Sequence, residues 1–217
     1  MQTLEPILTR SIRSIKKLIS PLRNRKGKKR WIERDGVRFF KALGVRPGDS
    51  ILDFGCNWGS YTLPAAAAIG TMGTIVAIDQ NKHALRRLQA KAARLGLQNI
   101  HTGTDLNDAM QRAGTNQFDL VLLYDMLHFL PADNRTALYA RLRQLLKPKR
   151  ILSVHCSHLK DDRHPARHFA DCTLNDIVHE VESAGFHLKE KKVLPLWHSY
   201  DQVLGRVLEF IKDTNTA

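Results

Sequence analysis

The 217-residue sequence lacks any apolar run near the ~20 residues that a membrane-spanning helix requires. It holds only three cysteines, Cys56, Cys156 and Cys172, and none of them forms a CxxC pair. A disulfide framework and a compact cysteine metal site are therefore excluded. Internal repeats and low-complexity linkers are also missing. These absences predict a cytoplasmic protein that is at most peripheral to a membrane.

Positive charge, by contrast, is abundant and unevenly placed. The net charge is +13, and residues 1–50 hold fourteen of the 34 lysines and arginines but only four of the 21 acidic residues. Aliphatic residues recur at helical spacing from Ile7 to Leu22, beside a basic stretch from Arg10 to Arg30. We interpret residues 1–35 as a basic amphipathic extension. It would bind an anionic membrane surface or RNA, or pack against the domain.

From Ser50 onward, short apolar runs alternate with helical patterns, which is typical of a parallel sheet covered by helices on both faces. Helices are predicted over Lys82–Leu95, Asn134–Leu146 and Leu174–Ala184, the last beginning at a capping-box sequence, Thr173 to Asp176. The predicted strands are Ile51–Phe54, Thr74–Asp79, Asn99–Gly103, Phe118–Tyr124, Ile151–His155, Phe186–Val193 and Val203–Ile211.

The last two predicted strands have no helical pattern between them, and Pro195 lies in their connection. They are therefore expected to pair antiparallel at one edge. The fold class that follows is α/β, with a Rossmann-like, seven-stranded, mostly parallel sheet that spans a domain over residues 36–217.

The strongest local signal is the turn that follows the first strand, through Gly55, Asn57 and Gly59. Such a turn brings bare backbone and a helix N-terminus close to a ligand. Asp79 ends the next strand, 20 residues after Gly59, where an acidic group can accept hydrogen bonds from ribose hydroxyls. Asp105 and Asp125 follow the third and fourth strands, so acidic groups recur at the ligand-binding edge of the sheet.

With these motifs, residues 40–211 resemble class I S-adenosylmethionine (SAM)-dependent methyltransferases. Their D-x-G-x-G-x-G motif is matched by Asp53, Gly55, Asn57 and Gly59, with Asn57 at the middle glycine. The segments Val-Leu-Leu-Tyr124-Asp-Met-Leu-His128 and Leu-Leu-Lys-Pro148 resemble the small ubiquinone/menaquinone-biosynthesis-like subgroup. The resemblance implies SAM as cofactor, with the first turn at its methionine end, Asp79 at the ribose and Asp105 with Leu106 at the adenine. The implied cofactor-binding residues are Asp53, Gly55, Cys56, Asn57, Gly59, Tyr61, Asp79, Gln80, Asp105, Leu106 and Asp125.

The resemblance implies methyl transfer to an unidentified acceptor, either a small molecule or a lipid-like compound. Because the sulfonium donor is already activated, the protein chiefly aligns the acceptor and removes its proton. His128 and His155 are the candidate catalytic residues. The segment 155–172 is rich in histidine and cysteine, but its spacing matches no compact zinc signature, so we predict a substrate-side loop and no metal site.

Three alternatives stay open at this point. An NAD(P)-dependent dehydrogenase shares the glycine turn and the acidic residue, although Asn57 and the antiparallel final pair count against it. An RNA methyltransferase would explain the basic extension. A catalytically inactive SAM-binding protein that binds RNA or membrane would explain both the glycine turn with its acidic residue and the basic extension.

Overall fold

The computed structural model describes residues 25–107, 117–198 and 201–212, which form one sheet of seven strands. The strands are β1 Ser50–Phe54, β2 Thr74–Ile78, β3 Ile100–Gly103, β4 Phe118–Tyr124, β5 Leu146–His155, β6 Phe186–His198 and β7 Asp201–Lys212. Their order across the sheet is β3-β2-β1-β4-β5-β7-β6. Strands β1 to β5 pair in parallel, and β7 pairs antiparallel with both β5 and β6. The predicted Rossmann-like sheet is confirmed.

Helix α1, Gly36–Ala42, precedes β1, and the helices between later strands are α2 Thr62–Ile69, α3 Lys82–Arg94, α4 Ala132–Leu145 and α5 Leu174–Ser183. The three helices predicted from periodicity are confirmed to within two residues at each end. The predicted capping box is present, since Thr173 Oγ1 accepts from the Asp176 amide and the Asp176 carboxylate accepts from the Thr173 amide. Short 3₁₀ turns cover Leu127–Phe129 and Arg167–Phe169.

Strand β4 lies at the centre of the core, and every one of its residues is buried. Val121 and Leu123 join one hydrophobic cluster, and Leu120 and Leu122 join another. Successive side chains of a strand point to opposite faces of the sheet, so the two clusters cover its two sides. A continuous apolar strand of this kind is typical of a parallel sheet with both faces covered.

The β6–β7 hairpin is longer than the sequence predicts. Pro195, expected in the connection, lies within β6 opposite Leu204, and the strand continues to His198. Because β6 is the edge strand, one side of it has no partner strand, and a proline there need not remove a ladder hydrogen bond. The extension brings the end of β6 to the carboxyl edge of β4 and β5.

The predicted amphipathic stripe, Ile7 to Leu22, and the cations from Arg10 to Arg23 lie outside the described residues. Residues 25–42 are helical, with a π-helical segment over Trp31–Asp35. Trp31 is 1% exposed, donates from Nε1 to the Ser60 carbonyl at 2.7 Å and packs edge-on against Tyr61. The last part of the predicted extension thus packs into the core of the domain. No helix of the described residues is long and apolar enough to cross a membrane.

Candidate active site

A cavity of about 600 Å³ opens at the carboxyl ends of β1 to β4. That volume lies within the usual range for a small-molecule or cofactor site. Seven of the predicted cofactor-binding residues line it together: Gly55, Asn57, Asp79, Gln80, Asp105, Leu106 and Asp125. They come from four different strand ends, which the parallel topology brings to one edge of the sheet.

The turn after β1 has the backbone that its sequence predicts. Gly55, Asn57 and Gly59 have φ angles of 82°, 47° and 73°, all in the left-handed region. Asparagine adopts this region more readily than most side chains, which explains how Asn57 replaces the middle glycine. A Cβ added to Gly59 would lie 2.3 Å from Leu88 Cδ1, so the close packing of the turn against α3 needs glycine there.

Asp79 holds this turn in place. Its Oδ2 accepts from the Asn57 amide and its Oδ1 accepts from the Asn81 amide, each at 2.8 Å. A carboxylate has about four lone-pair sites, so further acceptor capacity remains. Asp79 therefore combines an organising role with the ability to accept hydrogen bonds from a ligand in the cavity.

Four of the predicted cofactor-binding residues, Asp53, Cys56, Gly59 and Tyr61, are not among the described residues that line the cavity. Asp53 is 3% exposed and accepts a 2.5 Å hydrogen bond from Thr62 Oγ1. Burial raises the pKa of the Asp53 carboxyl to about 6. Asp53 thus links β1 to the start of α2 behind the turn. Direct contact of a cofactor with Asp53, Cys56, Gly59 or Tyr61 stays a prediction.

Tyr61 connects the turn to the far edge of the sheet. Its hydroxyl donates to the Trp197 carbonyl and accepts from the Trp197 amide, both at 3.1 Å. The pair is buried, and Trp197 precedes the last residue of β6. The first turn and the β6–β7 hairpin are therefore directly joined.

His128, predicted as a catalytic base, lies in the 3₁₀ turn after β4. Its ring packs against Phe129, His158 and Phe169, and its buried Nδ1 has no hydrogen-bond partner among the described residues. Burial, together with the neighbouring His158, lowers the pKa of His128 to about 4. A base with so low a pKa takes up a proton poorly near neutral pH, so this environment does not favour the predicted role.

A second cavity, of about 440 Å³, lies beside the ends of β5 and β6. His155, the other predicted catalytic residue, lines it, and so do Ser157, His158 and His198. Apolar side chains complete its wall: Val193, Val203 and Leu204. The predicted substrate-side loop thus contributes to a cavity distinct from the first one.

Asp125 links the two cavities, because it lines the first and bonds to side chains of the second. Its Oδ2 lies 2.6 Å from His198 Nδ1, and its Oδ1 accepts from Ser157 Oγ at 2.5 Å. His155 Nε2 lies 3.4 Å from the same Oδ1. We call Asp125, His155, Ser157 and His198 the Asp125 cluster.

The charges of the Asp125 cluster follow from these contacts. Burial opposes ionisation of Asp125, but the hydrogen bond from His198 and the adjacent His155 hold its pKa below the usual value. The bond to Asp125 raises the pKa of His198, whereas burial lowers the pKa of His155. Sequence reasoning missed His198 and Ser157, because the predicted strand ended at Val193 and Ser157 is a common loop residue.

Comparison with known proteins agrees with this geometry. Residues 51–149 match a family model described as a methyltransferase domain. The chain is 33% identical over 122 residues to a nocamycin O-methyltransferase of Saccharothrix syringae, and this alignment covers 52% of the chain and 42% of that protein. The chain is 27% identical over 115 residues to a cyclopropane-fatty-acyl-phospholipid synthase of Escherichia coli K12, and this alignment covers 52% of the chain and 27% of that protein. The chain therefore matches less than half the length of these curated relatives.

A solved structure of a SAM-dependent methyltransferase from Aquifex aeolicus superposes with a TM-score of 0.68 at 18% identity, covering 89% of this chain and 98% of that one. At that identity the likeness concerns the fold. Residues 51–149 are thus similar to a methyltransferase domain, and the sheet order is that of the solved SAM-dependent methyltransferase fold. These matches favour a methyltransferase over the dehydrogenase alternative, while the ubiquinone/menaquinone-biosynthesis-like subgroup stays a prediction.

Proposed function

We propose that the chain transfers the methyl group of SAM to a small-molecule or lipid-like acceptor bound in the second cavity. The observation that carries this proposal is the position of Asp125, which lines the first cavity and bonds to His198 and Ser157 of the second. In-line transfer requires that donor and acceptor meet at a common boundary. Asp125 marks that boundary.

The wall of the second cavity favours an amphipathic acceptor. Val193 is 66% exposed and Leu204 is 74% exposed, although both are large and apolar. Exposed apolar side chains at the rim of a cavity are typical of a binding surface. Arg206, His155, Ser157 and His198 add polar groups to the lining of the same cavity. The names of the two curated relatives, a nocamycin O-methyltransferase and a cyclopropane-fatty-acyl-phospholipid synthase, are consistent with this class of acceptor.

The proposal is tested by incubating the protein with methyl-labelled SAM and cell extract, then separating lipid, small-molecule, RNA and protein fractions. We expect label in the lipid or small-molecule fraction. The control is Asp79→Ala, which should lose labelling because its cofactor site is impaired. Label confined to RNA or protein would contradict the proposal, and label confined to RNA would favour an RNA methyltransferase.

We further propose that the basic segment from Arg10 to Arg30 binds an anionic surface, either membrane or RNA phosphates. The part of this segment that the structure describes, from Arg25 onward, gives one supporting observation. Lys28 Nζ and the Arg87 guanidinium lie 5.7 Å and 5.3 Å from the ring centre of Trp58, which is 37% exposed. Burial lowers the pKa of Lys28, and the neighbouring cations Lys91 and Arg87 lower it further. Cations around an exposed aromatic ring suit an anionic partner.

A further inference from the structure

We propose that Asp125, His155 and His198 form a site for a divalent metal ion of the zinc type. One nitrogen of each histidine and one carboxylate oxygen all lie within 4.8 Å of one another. The residues come from three separate chain segments, just after β4 and at the ends of β5 and β6. The compact spacing of a zinc motif is therefore absent from the sequence, although the fold brings the ligands together.

His155 has the orientation of a metal ligand. Its Nδ1 lies 2.7 Å from the Arg206 carbonyl, and because a carbonyl can only accept, Nδ1 carries the proton. Nε2 of the neutral ring then has a free lone pair, 3.4 Å from Asp125 Oδ1. Metal-bound histidines typically donate their other N–H to a backbone carbonyl or a carboxylate. Two ligands that are each ~2.1 Å from a tetrahedral zinc ion lie ~3.4 Å apart, which matches this separation.

Asp125 is fixed for the same task. Its φ angle of 54° places it in the left-handed region, and its amide donates to the His155 carbonyl at 3.0 Å. Ser157 Oγ donates to Oδ1 and so orients the carboxylate from outside the ligand set. His198 Nδ1, 2.6 Å from Oδ2, is hydrogen-bonded to the carboxylate in this structure. Metal coordination requires that the His198 ring move outward from this hydrogen bond toward the ligand-to-ligand distance.

Two imidazole nitrogens and one carboxylate oxygen are a ligand set of catalytic zinc, which keeps a further position open for water or substrate. His155 and His198 both line the second cavity, so the open position would face it. A metal there would orient an acceptor through an oxygen, nitrogen or sulfur lone pair beside the SAM cavity. Metal binding itself goes beyond the proposed function, because it depends on neither SAM nor methyl transfer.

The experiment uses full-length, tag-free protein that has been treated with a chelator and dialysed. Co²⁺ is titrated while its visible absorption is followed, and Zn²⁺ is titrated by calorimetry. We expect one equivalent of either ion per chain, with Zn²⁺ displacing Co²⁺. His198→Asn should weaken binding by at least ~10–100-fold, the range seen even when an outer partner of a metal site is lost. Ser157→Ala should weaken it by ~10-fold.

The matched control is His168→Ala, because His168 is an exposed histidine of the same segment outside the Asp125 cluster. It should bind both ions like the wild type. Equal affinity in His198→Asn and His168→Ala, or no stoichiometric binding by the wild type, would overturn the metal site. The Asp125 cluster would then be a hydrogen-bonded aspartate–histidine pair without a metal.

SAM titration of the same samples separates this outcome from failure of the proposed function. Protein that binds SAM but no metal refutes only the metal site, and protein that binds metal but no SAM refutes only the methyltransferase proposal. SAM affinity also reports folding of His198→Asn. Should that variant fail to fold, the comparison of Ser157→Ala with His168→Ala decides the question.

Discussion

Replacing Asp79 by alanine tests how the cofactor cavity works. The Asp79 carboxylate accepts from the Asn57 and Asn81 amides, each at 2.8 Å, and it lines the cavity where the ribose is expected. The variant therefore loses the bonds to the ligand and also the support of the turn. Hydrogen bonds to a charged group contribute ~1.5–3 kcal/mol, so the dissociation constant for SAM should rise about 10- to 150-fold.

Calorimetric titration with SAM and with S-adenosylhomocysteine measures this change. A second ligand, S-adenosylhomocysteine without its two ribose hydroxyls, separates direct contact from support of the turn. We expect this analogue to bind the wild type more weakly than the parent compound does, and to bind Asp79→Ala about as well as the parent. Such non-additivity is the mark of a direct contact.

Asp171→Ala serves as the control, because Asp171 is an exposed aspartate that does not line the cavity. Its SAM affinity should equal that of the wild type. Two results would refute the reasoning: unchanged affinity in Asp79→Ala, or equal loss of affinity for the analogue in both proteins. The second result would leave Asp79 as a support of the turn alone.

Three further predictions concern other parts of the molecule. The pKa of His128 is lowered from 6.5 to about 4 in the folded protein. Between pH 6.5 and about 4 the unfolded chain therefore binds more protons than the folded chain, and the free energy of unfolding should fall as the pH falls through this range. In urea denaturation, the free energy of unfolding of His128→Asn should fall less over this pH range than that of the wild type. A pH dependence identical to that of the wild type would contradict the burial of a neutral ring. Arg135, 3% exposed, donates from Nε to Glu180 Oε2 at 2.8 Å, so Glu180→Ala should cost ~3–5 kcal/mol in unfolding experiments; a loss under ~1 kcal/mol would show that water compensates the arginine. Deleting residues 1–24 should leave SAM affinity unchanged while binding to anionic vesicles or RNA falls, and vesicle binding that survives the deletion would remove the membrane role of the segment.

Much of the fold was predictable because the strongest signals are local. Strand β4 is an unbroken apolar run, and the capping box of α5 satisfies its own backbone within four residues. Gly55, Asn57 and Gly59 encode their left-handed backbone directly. Since the parallel strands all end at the same edge of the sheet, Asp79, Asp105 and Asp125 could be assigned to one cavity from the sequence alone.

The parts that escaped prediction depend on burial and on long-range pairing. His128 has a promising position in the sequence, but only the packing of Phe129 and Phe169 reveals how low its pKa lies. His198 reaches Asp125, 73 residues away in sequence, because β6 continues past Pro195 at the sheet edge. No periodicity encodes that contact.

The hydrogen bonds between Tyr61 and Trp197 connect the residues around the first cavity to those around the second. Tyr61 closes the turn that borders the cofactor cavity, and Trp197 is the neighbour of His198 in the second cavity. A ligand that shifts the turn would therefore also shift the end of β6, and thermodynamic linkage makes any such coupling reciprocal. We expect that a ligand in one cavity changes the affinity of the other cavity for its own ligand, by the same factor in either direction.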